Sequence, residues 1–455
     1  MIGRTGVTSA EGATAPETLR QKDRWLAQTL ESGTTRVPAE GIAISGEVDR
    51  GGISGKGFGL CVLDMPVDHH TSDRPCVRGL EMSDLLRTPL YELHESLGAK
   101  IVPFAGYALP VQYPMGVMKE HIHTRTKAGL FDVSHMGQAQ VRGADVATAA
   151  VALETLIPVD IMGLGLNRQR YGFLTNDAGG IIDDLMLANR GDHIFVVVNG
   201  ACKVGDIAHM KANMPAGVSI VEINDRALLA LQGPMAETAL ASLNPAVRGM
   251  KFMDVADVTL NGADCWVSRS GYTGEDGYEI SVPADQARAL AEALLAHDDV
   301  EPIGLGARDS LRLEGGLCLY GNDIDTTTTP VEAGLNWAMQ KIRRTGGDRA
   351  GGFPGADKVL DELANGASRK RVGLQPQGRA PMREGIELFA DETSPDPIGK
   401  ITSGGFGPTV GGPVAMGYLP TDLCQTGTQV FGEQRGKRLP LTVAALPFTP
   451  ANFKR

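Results

Sequence analysis

The stretch that decides the fold runs from Tyr171 to Val198 and reads YGFLTNDAGGIIDDLMLANRGDHIFVVV. It holds three apolar runs, Tyr171 to Thr175, Ile181 to Leu187 and His193 to Val198. Between them lie Asn176-Asp177-Ala178-Gly179-Gly180 and Asn189-Arg190-Gly191-Asp192. Asn, Asp and Gly supply the side-chain acceptors and backbone freedom of tight turns, so the runs are expected to form a β-meander. The middle run carries two acids. Strand alternation puts Asp183 on the face of Ile181, Leu185 and Leu187, and Asp184 on the face of Ile182 and Met186. Asp is disfavoured inside strands, and a charged carboxylate on an apolar face is costly unless something pairs with it. At least one of the two is therefore expected to face a site or a partner. The alternative is a shorter strand with both acids in a solvated turn.

Working outward, strands and helices mix. Leu228 to Leu231 reads as a strand, and Gln232-Gly233-Pro234 turns into a helix from about Met235. Cys265 to Arg269 and Tyr278 to Val282 read as a hairpin around Gly271 to Gly277, followed by an alanine-rich helix over Ala287 to Ala296. A helix from about Ala307 should stop at Gly315-Gly316. Thr329-Pro330-Val331-Glu332 has the form of a capping box with Pro in the first turn, and predicts a helix carrying Trp337. On the N-terminal side, Thr88 is expected to cap a helix with Pro89 at its first position, Leu90, Leu93 and Leu97 as its apolar stripe, and Gly98 at its end. After Arg371 the chain becomes short strands and Gly/Pro turns, such as Ile398 to Ser403, Val414 to Tyr418 and Leu441 to Ala445, which predicts a small C-terminal β-barrel. The class is α+β, without an internal repeat.

Residues 1–81 differ from the rest. Small polar residues and Gly dominate, as in Gly51 to Gly57, and only Thr18 to Leu30 has the pattern of a short amphipathic helix. Such a segment buries too little apolar surface to offset its ordering entropy, so a disordered extension is expected. A sharper expectation is that Met82 is the true initiator and that 1–81 is not native.

The 455 residues suggest about three domains. A net charge of -11 with no basic run longer than Arg369-Lys370-Arg371 argues against nucleic acid and anionic membranes as partners. No apolar run approaches a membrane span. Cys61, Cys76, Cys202, Cys265, Cys318 and Cys424 are scattered without a Cys-x-x-Cys pair, which reads as reduced thiols in a cytoplasmic-type compartment. Glu11, Glu17 and Asp23 argue against a mitochondrial leader.

Several chemistries lack their signatures. Gly51 to Gly57 is too short for a phosphate loop and has no Ser or Thr after Lys56. No glycine fingerprint follows a strand, so no NAD or FAD is expected. His121 and His123 would diverge on a helix, and His135 has no ligand spacing to them, so no metal is expected. There is no Gly-x-Ser-x-Gly elbow. What remains is Glu279, which points opposite the apolar Tyr278, Ile280 and Val282 and can accept from a ligand, and Arg308 with Arg312, four apart on one helix face. The two arginines are either solvated or a clamp for an anion or amide.

Several segments resemble one family. They are Phe104 to Tyr107 (FAGY) with Leu109 to Tyr113 (LPVQY), Leu130 to Met136 (LFDVSHM), Ala227 to Pro234 (ALLALQGP), Gly271 to Gly277 (GYTGEDG) and Ala307 to Asp323 (ARDSLRLEGGLCLYGND). Together they are similar to the glycine cleavage system T-protein family, the aminomethyltransferases. The likeness runs from about Leu86 to Phe453.

The resemblance implies a three-domain cloverleaf. Two interleaved α/β modules, one of them ferredoxin-like, would occupy 82–369 as the folate-binding region, and a β-barrel would occupy 370–455. It implies Asp183 as the essential carboxylate and Glu279 and Arg308 as folate contacts. Tyr171, Asn199, Tyr272 and Trp337 would line the same pocket, with Phe453 standing where some relatives have Tyr. The implied reaction takes the methylene of an aminomethyl-dihydrolipoyl arm, carried by the H-protein, to tetrahydrofolate. The products are 5,10-methylenetetrahydrofolate, dihydrolipoyl H-protein and ammonia. Two other readings compete. One is a folate-binding accessory protein of iron–sulfur maintenance, whose relatives carry a Cys in the turn where this chain has Gly271-Tyr272. The other is the folate module of a dimethylglycine or sarcosine dehydrogenase, which needs a flavin domain.

Overall fold

The computed structural model describes residues 84–455. The extension, its Thr18 to Leu30 helix, Met82, Cys61 and Cys76 lie outside the described residues.

The meander forms as a five-stranded antiparallel sheet. Its order is Gln169–Thr175, Ile181–Asn189, Ile194–Val198, Gly137–Arg142, Ser219–Glu222. Each turn is closed by its own asparagine. Asn176 Oδ1 accepts from the backbone of Ala178 and Gly180, and Asn189 Oδ1 from that of Gly191. One face carries Ile181, Leu185, Leu187, Ile194, Val196 and Val198. It packs on Ala149 and Leu153 of helix Val146–Glu154 and on Ile207 and Met210 of helix Lys203–Asn213. Fully burying a Leu or Ile contributes about 1.5–3 kcal/mol, so this face holds the module's main stabilisation.

A second sheet of six strands has the order Val255–Leu260, Ala263–Ser268, Gly277–Pro283, Arg226–Gln232, Ala128–Asp132, Val300–Pro302. All its pairs are antiparallel except the last, which is parallel. Strand Arg226–Gln232 lies inside it and is buried on both faces. Ala227, Leu229 and Leu231 join one core and Leu228 and Ala230 another, which explains an apolar run without alternation. Helix Ala287–Leu295 covers the first of these faces through Leu290, Ala291 and Leu294. The sheets interleave in sequence: the chain lays down Ala128–Asp132, builds the five-stranded sheet, and returns at Arg226.

The last strands close a six-stranded barrel, in the order Arg369–Pro376, Gly412–Pro420, Gly399–Gly407, Glu387–Phe389, Gln429–Gln434, Lys437–Ala444. Closure leaves no free strand edge, and Leu374, Ile401, Leu419, Val430 and Leu441 fill the interior. No helix among the described residues is long and apolar enough to cross a membrane.

Two local expectations are corrected. Thr88 does not cap the helix Tyr91–Ser96, because its hydroxyl donates to the buried carboxylate of Asp132 at 2.6 Å. The Thr329 box forms, with Glu332 N donating to Thr329 Oγ1 (3.1 Å) and Thr329 N to Glu332 Oε2 (3.0 Å), yet no α-helix follows. The Glu332 carbonyl, which a helix would need for its next turn, accepts from Arg371 N of the barrel at 2.8 Å. Gly334 then turns the chain at φ +73°. Trp337 rides instead on a short 3₁₀ turn, Asn336–Ala338.

Candidate active site

The two sheets face each other across a cleft. Met186, Ala188, Phe195 and Val197 line it from the five-stranded sheet, and Leu228, Trp266, Ser268, Glu279 and Ser281 from the six-stranded one. Met186 and Ala188 share a strand face with Asp184, so Asp184 and Glu279 project from surfaces that look at one another. Asp183 points the other way, into the helix-covered core, and is 0% exposed. Asp184 therefore stands on the cleft side of its strand and Asp183 on the core side. The physical reason is long-range. Alternation separates the two acids, but only the packing of helices on one face and the second sheet on the other decides which face holds the cleft.

Asp184 is well held. Its Oδ2 accepts from the Tyr171 hydroxyl at 3.0 Å and its Oδ1 from Asn199 Nδ2 at 2.8 Å. Burial first, and the nearby Asp183 second, push its carboxyl up to about 7, against the pull of those two donors. The Tyr171 ring stacks on Trp337 with centroids 5.4 Å apart and planes 23° apart. Trp337 is 63% exposed, so this aromatic pair forms a wall with an open edge.

Arg308 comes from helix Leu305–Glu314. Its guanidinium lies 4.7 Å over the Tyr272 ring, and the Tyr272 hydroxyl donates to the Cys318 carbonyl. Arg308 Nη1 is buried without a hydrogen-bond partner, and the guanidinium has no ion pair among the described residues. Arg312, one turn on, is fully engaged by Asp309 (2.7 Å), Asp323 (2.8 Å) and Ser403. The predicted pair thus divides into a structural tie and a donor held in reserve. A buried donor without an acceptor costs about 1–3 kcal/mol, a cost that a ligand acceptor would relieve. Glu279 lies near enough to Arg308 to favour its charge. Glu279 Oε2 accepts from Ser270 Oγ at 2.9 Å, which orients the carboxylate.

The turn between Ser270 and Gly277 is built rather than loose. A Cβ on Gly271 would meet Gln232 Oε1 at 1.7 Å, so a side chain there would have to displace the buried Gln232 amide from Ser270 O and Thr273. Glu275 pairs with Arg125 at 3.0 Å and Asp276 with the buried Arg269, so the acids of the turn are structural. Asn199 bridges both aspartates through Nδ2, at 2.8 Å to each. Phe453 stacks on Phe252, with centroids 4.1 Å and planes 9° apart. The tail that carries it reaches the site region through Asn452 N, which donates to Gly274 O at 2.9 Å. The three histidines diverge. His121 binds Ser310 and Glu314, His123 the Asp299 carbonyl, and His135 packs on Phe104. Among the described residues no three His, Cys, Asp or Glu side chains form a metal-binding group. Sequence reasoning did not single out Ser270 and Cys318. Neither carries a signal in the chain, since their roles depend on which strands meet.

Comparison with known proteins agrees with this architecture. Residues 90–343 match the family model described as the GCVT N-terminal domain, and residues 369–449 match the glycine cleavage T-protein C-terminal barrel domain. The chain is 44% identical over 390 residues to a mitochondrial aminomethyltransferase of Dictyostelium discoideum, covering 82% of this chain and 94% of that protein. It is 44% identical over 378 residues to the human mitochondrial aminomethyltransferase, covering 81% and 91%. The crystal structure of glycine cleavage system aminomethyltransferase T from Bartonella henselae superposes with a TM-score of 0.76 at 45% identity, over 82% of this chain and all of that one. With two adjoining domain models matched in order, and relatives of this identity aligned over most of their length, the chain belongs to the glycine cleavage T-protein family.

Proposed function

We propose that this chain transfers the methylene of an S-aminomethyl-dihydrolipoyl arm, presented by the H-protein, to tetrahydrofolate, and that the cleft between the sheets is where it does so. The activity of the named relatives supports the reaction class. The observation that carries the site is the unpaired Arg308 nitrogen, set beside Glu279 and Tyr272. A guanidinium and a carboxylate side by side match a ligand that carries both acceptors and an amine edge, as a pterin does. Glu279 accepts from that edge, Arg308 donates to a ligand acceptor, and Tyr171 with Trp337 supplies a flat apolar wall.

In the reaction the sulfur lone pair expels ammonia, breaking C–N and leaving an electrophilic methylene. Folate N5 attacks, C–S breaks to return the dihydrolipoyl thiol, and N10 closes the ring. The protons of N5 and N10 end on ammonia and the thiol. Asp184 stabilises the cationic methylene and takes or orients the N10 proton. The protein's larger task is to align two big substrates and keep water from the cation. The same reading divides the chain into a folate-binding region over 82–369 and a barrel over 370–455, and holds to the cytoplasm. The described cysteines, Cys202, Cys265, Cys318 and Cys424, are free, which suits any reducing aqueous compartment. The two aminomethyltransferase relatives named above are mitochondrial proteins, and fractionation of the source cells decides between the two.

The test of function is ammonia release from aminomethylated H-protein, measured with and without tetrahydrofolate. Release stimulated by folate and matched by methylenetetrahydrofolate supports the reading, and folate-independent release without it sinks the reading. Because Asp184 must be ionised to act and titrates at about 7, kcat/KM is expected to rise with pH through that range and then level. A flat profile between pH of about 5.5 and 8.5 would count against Asp184. Glu279→Gln removes a charge-assisted hydrogen bond of about 1.5–3 kcal/mol, so tetrahydrofolate should bind at least about tenfold more weakly by calorimetry. Unchanged affinity would take Glu279 out of the pocket.

A further inference from the structure

Behind Asp184 lies a second acidic pair that the transfer chemistry does not use. Asp206, on helix Lys203–Asn213, is 1% exposed and meets Asp183 carboxyl to carboxyl within hydrogen-bonding contact. Asp183 is surrounded by donors. Its Oδ2 accepts from Asn199 N at 3.0 Å and its Oδ1 from Asn199 Nδ2 at 2.8 Å. Asp206 is not so supplied, and its Oδ2 is buried without a partner.

The groups that face this pair are Asp184 from the same strand, Asn199 and Cys202 from the turn before the helix, and Tyr320, whose hydroxyl donates to the Ile181 carbonyl at 3.3 Å. None is cationic, and none of the three aspartates has an ion pair among the described residues. Three carboxylates so close and so dry cannot all be ionised. A proton must reside among them. Asp183 has two N–H groups aimed at it and is the better anion. Asp206 has none and is the better acid. Burial and the charge of Asp183 push the Asp206 carboxyl up to about 10.

We propose that Asp206 is a positioning residue: as a neutral carboxylic acid it donates its hydroxyl to Asp183, which fixes the Asn199 amide so that its two hydrogens stay on Asp183 and Asp184. The bridge explains why Asn199 Nδ2 sits at 2.8 Å from both carboxylates at once. It also sets the charge behind Asp184, because Asp183 stays ionised only while Asp206 donates to it. The effect on turnover rests on the reading of Asp184 as the carboxylate at the reacting atoms. The location of the proton does not.

Two measurements on the full chain test the proposal. The first is infrared spectroscopy at about pH 8.5, above the titration of Asp184 and below that of Asp206. A carboxylic-acid carbonyl band should be present and should vanish in Asp206→Asn. Its absence from the unsubstituted protein, or its survival in that variant, overturns the proposal whatever the catalytic role of Asp184. The second is turnover against pH for Asp206→Ala and Asp206→Asn. Ala removes the donor and lets Asp183 take up the proton. It should lower kcat about tenfold with folate affinity retained, and move the acid limb to lower pH as the repulsion on Asp184 falls. Asn restores a neutral donor and should rescue both the rate and the limb. An Asn variant as impaired as Ala, or an Ala variant whose limb does not move, overturns the proposal. Should Ala fail to fold, the infrared result and the Asn limb decide the matter.

Discussion

Asp184→Asn is expected to bind tetrahydrofolate nearly as well as the unsubstituted chain and to turn over at least about a hundredfold more slowly, the usual scale for a positioned acid or base. The substitution keeps the size and planarity of the side chain. One oxygen remains to accept from Tyr171 or Asn199, so the wall formed by Tyr171 and Trp337 should survive. What disappears is the negative charge, together with the ability to receive a proton. Glu279 and Arg308, which hold the ligand in this account, are untouched. The expected signature is therefore a fall in kcat with little change in folate affinity, read by steady-state assay beside a direct binding titration. An equal loss in affinity would make Asp184 a ligand anchor, and unchanged turnover would remove it from the chemistry. An amide also has no charge to gain or lose near neutrality, so the residual activity should lose the acid limb set by the Asp184 titration at about 7.

The second large effect is on stability. Glu314, whose side chain is 0% exposed, ties together parts of the chain far apart in sequence. Its carboxylate accepts from His121 Nε2 (3.0 Å) and Arg125 Nη2 (3.3 Å) of helix Val117–Thr126. It also accepts from the backbone of Thr409 (2.8 Å) and Val410 (3.1 Å) in the barrel. Burial alone would raise its pKa, but the hydrogen bonds and the charge of His121, with the barrel donors, overcome this and hold it down at about 2. Glu314→Gln turns an all-accepting group into one that presents N–H to donors. Breaking a buried, charge-assisted hub of this kind costs about 3–5 kcal/mol. The melting temperature should drop by about five degrees in calorimetry, and a drop of under about one degree would contradict the account. The pH dependence has a definite sign. A depressed carboxylate stabilises the fold above its unfolded pKa, which lies in the ordinary glutamate range. That contribution is lost as pH falls from there through about 2, so the variant should lose this component of acid sensitivity.

Much of this architecture is legible in the chain. The meander follows from two Asn-headed turns, and those side chains do close them. The barrel follows from strands punctuated by Gly and Pro. Glu279 is legible as a lone acid opposite Tyr278, Ile280 and Val282, and it does line the inter-sheet cleft. What the pattern does not settle shares a cause. Asp183 and Asp184 are equivalent by pattern, and only the side on which the second sheet packs separates them. Thr88 and the Thr329 box are sound local signals for helix starts. Asp132 takes the hydroxyl of the first, and Arg371 takes the carbonyl that the second would need. In each case a partner distant in sequence outbids a local preference, and no window of residues contains both.

In the function proposed above, Asp184 rather than Asp183 meets the folate, in a cleft shared with Glu279 and Arg308. A crystal structure of the full chain with tetrahydrofolate tests it most directly. An Asp184 oxygen should lie within hydrogen-bonding reach of the reduced folate's N10, roughly 2.6–3.5 Å, with Arg308 Nη1 on a ligand acceptor. Folate bound elsewhere, or with its reacting nitrogens turned away from Asp184, would contradict the account.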